Sequence, residues 1–183
     1  MDLAKYDRQF RLWGAEGQML LHTSKFLVFG TSAVATEIAK NLTLGGIGQI
    51  HIVDDQLVTQ RQVLNNFFVT SNDIGKNSAE VVSNLIGELN PDVKVTFSVS
   101  SVSNFLKKND NEINQFNYFI ACDRTKMEII EIAKFAEENG KGLLVANCLG
   151  LIGYIRLYKG EHLISDSKPD NAVEDLRLNN PFP

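Results

Sequence analysis

From residue 25 onward, the apolar positions alternate between short unbroken runs and longer stretches in which they recur every three or four residues. KFLVFG (25–30), QIHIVDD (49–55), KVTFSV (94–99), FNYFIAC (116–122) and GLLVANC (142–148) are runs of strand length. Their near-continuous hydrophobicity predicts strands covered on both faces, the pattern of a parallel sheet. Between them, Ser32 to Leu44 carries Val34, Ala35, Ile38 and Leu42 on one helical face and ends at Gly45-Gly46. GKNSAEVVSNLIGELNP (75–91) reads as a helix closed by Asn90-Pro91, and residues 125–138 as another. The polar stretch 100–116 predicts a short helix, and YIRLYKGEHLI (154–164) an antiparallel strand with a turn at KGE. Ahead of all this, Tyr6, Phe10, Trp13, Gly17 and Leu20 or Leu21 fall on one stripe of an amphipathic helix, which Gly14 and Gly17 weaken or open to close approach by another backbone. The alternation predicts an α/β fold: a Rossmann-like, doubly wound, mainly parallel sheet with helices on both faces.

Bulk properties narrow the partners. A chain of 183 residues supports one domain with a sizeable core, here expected over 1–165, with 166–183 an extended tail leading toward a following domain. The formal net charge of −4 argues against a nucleic-acid partner, which requires a basic face. No apolar stretch approaches the roughly 20 residues of a membrane span, and MDLAKYDRQF has no signal-peptide layout. Cys122 and Cys148 both fall in apolar runs and read as reduced core thiols of a cytoplasmic or nuclear protein. Two cysteines cannot build paired zinc clips, and neither is placed as a reactive nucleophile. His22, His51 and His162 lack ligand spacing and read as structural or surface residues.

The first strand-to-helix turn, FGTSAVA (29–35), is where such folds bind phosphate. Glycines there let the backbone approach phosphate oxygens, and the helix N-terminus offers free amides. A full glycine fingerprint would need Gly at 30, 32 and 35; the chain has Gly30, Ser32 and Ala35. A serine side chain takes up volume that a phosphate would use, so the loop by itself is a strand-to-helix turn with a weak claim on phosphate.

Longer motifs carry more information. KYDRQFRLWG (5–14), GTSAVATEIAKNLTLGGIGQIHIVDD (30–55) and NNFF (65–68) followed by IGKNSAE (74–80) together resemble the adenylation fold of the ubiquitin-like-protein activating enzymes and their bacterial ThiF and MoeB relatives. The tail PDNAVEDLRLNNPFP (169–183) is similar to that of the family's non-catalytic subunits in the neddylation branch, and argues against the SUMO branch, which shares YDRQ and RLWG. The resemblance extends over essentially the whole chain.

The resemblance implies roles that can be checked position by position. The family's active members use ATP and magnesium, and need an acid for the ribose, an Asn/Arg pair and a Lys for the triphosphate, and an Asp for the metal. The ribose acid falls on Asp54, which is kept. The second acid of that segment falls on Gln56, the Asn and Arg on Gln62 and Asn65, and the Lys on Ser78, Lys76 belonging to the turn. The metal-binding Asp falls on Arg124, or on Asp123 with a shift of one; an arginine there would repel magnesium. Gly30, Ser32 and Asp54 are therefore read as a vestigial nucleotide site, with no metal site and no cofactor held by this chain.

One residue implied by the resemblance is retained. Arg8 of the YDRQ segment would reach in trans toward the ATP of a catalytic partner subunit, where a planar, permanently charged guanidinium suits phosphate oxygens. Arg11 is expected to pair with Asp7 or Glu16 instead, Phe10 and Trp13 to lie in a core or partner contact, and Asn65 to Phe68 to pack against the partner or the empty pocket. The implied protein is a non-catalytic subunit in a heterodimer that activates a ubiquitin-like modifier, with ATP and magnesium in the partner. An independent adenylating enzyme would need the missing charges, and an NAD-dependent dehydrogenase an intact glycine fingerprint.

Overall fold

The computed structural model describes residues 4–108 and 110–161. The tail motif at 169–183, His162, the end of the strand expected to reach 164 and the expected boundary at 165 lie outside the described residues.

Six strands form one sheet in the order β3-β2-β1-β4-β5-β6. They are β1 (Lys25–Phe29), β2 (Gln49–Val53), β3 (Lys94–Ser98), β4 (Tyr118–Cys122), β5 (Gly142–Leu149) and β6 (Ile152–Tyr158). The first five are parallel, and β6 returns antiparallel along β5 through a tight hairpin at Gly150. The strand order reverses between β1 and β4, and in an open α/β sheet the crevice at that switch point is where ligands bind.

Alternation along β1 divides the core. Val28 faces a cluster built by α2 (Ala33–Gly45) and α4 (Ser78–Leu89), whereas Leu27 and Phe29 face one built by α5 (Val102–Lys108), α6 (Asp110–Ile113) and α7 (Lys126–Glu138). Helices thus cover both faces, as the continuous strand hydrophobicity requires. On α2 the most deeply buried positions are Ala35, Ala39 and Thr43, one stripe of small residues, with Val34, Ile38 and Leu42 packed at its margins. Small side chains let the helix approach the sheet closely, which places the larger residues at the flanks.

Several elements depart from the sequence pattern. Helix α3 (Gln60–Asn65) has no apolar stripe; a capping box between Thr59 and Gln62 starts it. The N-terminal helix α1 (Asp7–Thr23) is interrupted at Gly14, whose φ of 74° and ψ of 175° separate 7–13 from 15–23. Tyr6 precedes the helix as its buried N-cap, and Leu20 and Trp13 are exposed while Gln18 is fully buried. The group lying close to Gly17 is the Trp13 ring, not another backbone: a Cβ on Gly17 would stand 2.8 Å from it.

Cys148 corrects the expectation of two core thiols. Cys122 is buried and Cys148 exposed. The pairing of β5 with β4 ends at Ala146, while its pairing with β6 continues to Leu149, so residues 147–149 pair with β6 alone and Cys148 and Leu149 are exposed on this two-stranded ribbon.

Candidate functional site

The site lies at the carboxyl ends of β1, β2 and β4. Gly30 ends β1 with φ of 104°, its N–H donating to the Val53 carbonyl (3.0 Å). A Cβ there would stand 2.9 Å from the Cys122 carbonyl oxygen and 3.1 Å from the Arg124 Nε, so glycine is required by both backbone angle and space. Ser32 caps α2, its hydroxyl accepting from the Ala35 N–H at 3.4 Å.

Asp54, at the end of β2, is 2% exposed and fully engaged. Its Oδ2 accepts from the Thr31 hydroxyl (2.8 Å), its Oδ1 accepts from the Gln56 N–H (3.2 Å), and the Arg124 guanidinium lies 3.8 Å from Oδ1. The Arg124 Nε also donates to the Cys122 carbonyl at 3.3 Å. The arginine therefore lies folded over Gly30 and against the very carboxylate that the family resemblance assigns to ribose.

A directed chain of hydrogen bonds closes the other side. The Gln62 Nε2 donates to the Ser78 hydroxyl (3.3 Å), and the Ser78 and Thr31 oxygens are 2.6 Å apart. Because the single Thr31 hydrogen goes to Asp54, Ser78 must donate to Thr31, and the chain runs Gln62 to Ser78 to Thr31 to Asp54. Asn66, buried, fastens the following loop: its Nδ2 donates to the Thr31 carbonyl (3.1 Å), and its Oδ1 accepts from the Thr36 hydroxyl (3.2 Å) and the Phe68 N–H (3.0 Å). Thr31 was not singled out from the sequence, whereas Asn66 was expected only as part of a loop packed against the partner or the empty pocket. The signal was there in part, since Thr31 sits inside the turn and Asn66 inside NNFF, but their bonding depends on residues 23 to 47 positions away.

The residues placed here from the sequence thus divide. Gly30, Ser32, Asp54, Gln62, Ser78 and Arg124 converge at the switch point. Asn65 and Gln56 are exposed, and Lys76 is committed to Asp73 at 2.8 Å. Of the two residues considered for the metal position, Arg124 is the one against Asp54; Asp123 is exposed with φ of 50°. The NNFF loop splits, Phe68 entering the core at 4% exposure and Phe67 standing out at 85%. The groups present do not fit a magnesium nucleotide: a guanidinium stands where the resemblance places the metal-binding Asp, and the carboxylate it assigns to ribose already accepts hydrogen bonds on both oxygens. Among the described residues, no group of three or more His, Cys, Asp or Glu side chains is placed to hold a metal ion.

Arg8 lies elsewhere, exposed on the first turn of α1, and among the described residues its side chain has no hydrogen-bond or ion-pair partner. Arg11 behaves differently, pairing with Asp7 at 3.0 Å. His51 is a structural residue, its two ring nitrogens bonded to the Thr96 (2.7 Å) and Ser98 (3.0 Å) hydroxyls and its ring stacked on Phe105. No helix among the described residues is long and apolar enough to cross a membrane.

Comparison with known proteins finds similar chains and a similar fold. The chain is 42% identical over 178 residues to the NEDD8-activating enzyme E1 regulatory subunit of Danio rerio, covering 97% of this chain and 33% of that protein. It is 40% identical over 179 residues to the protein of the same name from Xenopus laevis, covering 98% and 34%. The chain thus spans about a third of the length of these curated relatives. In structure it is similar to E. coli MccB, crystallised with succinimide, at a TM-score of 0.73 and 18% identity, covering 85% of this chain and 48% of that one. The model of the ThiF family matches residues 6–177, nearly the whole sequence, and the chain belongs to the ThiF family.

Proposed function

We propose that this chain is the adenylation-fold part of a regulatory, non-catalytic subunit of a heterodimeric activating enzyme for a ubiquitin-like modifier, in the neddylation branch. It pairs with a catalytic adenylating subunit and supplies Arg8 to that subunit's ATP, while running no reaction in its own pocket. The observation carrying this reading is the contrast between two arginines. Arg124 is folded inward onto Asp54 at the switch point, whereas Arg8 is exposed and free of partners among the described residues. A buried cation at the metal position opposes magnesium, and an unpaired guanidinium on an outer helix is available to phosphate oxygens elsewhere. The names of the similar proteins support the neddylation branch. When bound in the partner, magnesium ATP supplies the activated phosphate; the contribution of this chain is charge at the triphosphate.

The test uses the full-length chain with its catalytic partner. The chain alone shows no ATP–pyrophosphate exchange. Arg8→Ala leaves heterodimer formation intact and slows modifier adenylation by at least about tenfold, in line with loss of one transition-state cation contact. Exchange by the isolated chain would favour an independent adenylating enzyme, and loss of dimerisation would make Arg8 structural.

A further inference from the structure

Arg8 has no partner among the described residues, yet the short helical segment that carries it is anchored at both ends on a single turn. At its start, Tyr6 is buried at 2% exposure with its ring packed over Gly46, where a Cβ would stand 2.6 Å from the ring atoms. The Tyr6 hydroxyl accepts from the Asn90 Nδ2 at 2.9 Å, and the same amide group donates to the Thr43 carbonyl at 2.8 Å. Lys5 holds the other side of that amide, donating to the Asn90 Oδ1 as well as to Asp92. At the end of the segment, the Trp13 Nε1 donates to the Gln18 Oε1 at 3.0 Å, and the Gln18 Nε2 donates to the Gly45 carbonyl at 3.3 Å. Beyond Trp13 the helix is broken at Gly14. Residues 7–13 are thus tied to Gly45 and Gly46, the C-terminal turn of the helix that begins at the switch point, directly through Tyr6 and by way of Gln18 through Trp13, and Arg8 lies two residues after the buried tyrosine.

We propose that Tyr6, through its hydrogen bond to Asn90, is a positioning residue that fixes where the Arg8 guanidinium stands in the partner's active site. This rests on the trans role given to Arg8 above. An exposed arginine has many rotamers, and its usefulness at a reacting phosphate depends on a fixed starting point for the side chain. The hydroxyl adds the bond to Asn90 to the ring's packing over Gly46, and it can be removed while that packing stays, so its share is tested alone.

The experiment is a double-mutant cycle on adenylation by the assembled heterodimer, with full-length chains, at saturating ATP. Tyr6→Phe slows adenylation by about fivefold, the equivalent of one buried hydrogen bond, when Arg8 is present, and leaves the residual rate of Arg8→Ala unchanged. Equal slowing in both backgrounds, or none in either, overturns the positioning role and leaves Tyr6 a packing residue. Arg8→Ala at the normal rate instead sinks the trans role itself, an outcome read from that single variant alone. Should Tyr6→Phe prevent assembly, Lys5→Met gives the same cycle from the surface. It removes one of the two donors to the Asn90 Oδ1, leaving the Asp92 N–H at 3.2 Å, and so loosens the amide that bonds the tyrosine, with the same two patterns supporting or overturning the proposal.

Discussion

The Arg124 guanidinium lies 3.8 Å from the Asp54 carboxylate, with the arginine side chain 9% and the aspartate side chain 1% exposed. Each charge is buried against the other, so removing one leaves the second without a counter-ion. Arg124→Leu and Asp54→Asn each lower stability by about 2–3 kcal/mol, and the combined Arg124→Leu/Asp54→Asn variant loses less than the sum of the two. Urea denaturation of the four proteins measures the coupling; strict additivity would show that the pair contributes nothing.

Gly30 and Ser32 respond oppositely to substitution. Gly30→Ala forces a side chain into a left-handed backbone position 2.9 Å from the Cys122 carbonyl, and lowers stability by about 2–3 kcal/mol. Ser32→Gly, which moves the loop toward the phosphate-binding fingerprint, changes stability by a few tenths of a kcal/mol because glycine is a tolerable N-cap. It leaves the chain without measurable ATP binding by equilibrium dialysis, since Arg124 still lies across the turn.

His51 makes stability depend on pH. Burial, with Lys94 adding, lowers its pKa from 6.5 to about 4. The unfolded chain takes up a proton near pH 6.5 while the folded chain resists until about pH 4, so the contribution is full above 6.5 and is lost as pH falls between these values. The loss from pH 7 to 4.5 is about 2 kcal/mol. His51→Gln flattens the dependence over that interval, as urea midpoints at the two pH values would show; an unchanged slope would place the titration elsewhere.

The two thiols differ in reactivity. Burial, with Asp123 adding and Arg124 opposing, pushes the Cys122 thiol up to about 12, whereas Cys148 is exposed on the β5–β6 ribbon. A thiol reagent at pH 8 labels one cysteine per native chain and two after denaturation. Protection of Cys148 in the native chain would contradict its exposure on the ribbon.

Much of the scaffold is legible in the sequence. Five apolar runs became the five parallel strands, because strands covered on both faces have no polar side to interrupt them. The reversal of β6 was legible too, and Gly46 ends α2 in the left-handed conformation expected of the Gly-Gly pair. Cys148 misled because its run continues past the last residue paired with β4, and sequence cannot mark where neighbours stop. Gly14 was expected to weaken α1 or admit another backbone; that it breaks the helix outright is a matter of backbone angle, which residue spacing does not record.

The sequence by itself determined the alternation of strands and helices, the family, and which charges are absent around the turn at Gly30. Composition along the chain records each of these, position by position. Only the tertiary structure decided that Arg124 folds onto Asp54, that Thr31 and Ser78 close the hydrogen-bond chain behind it, and that Tyr6 and Trp13 pin the Arg8 segment to one turn. Those relationships join residues up to 84 positions apart. They exist because packing brings distant strand ends and helix ends together, and buried polar groups must then find their partners among whatever has arrived.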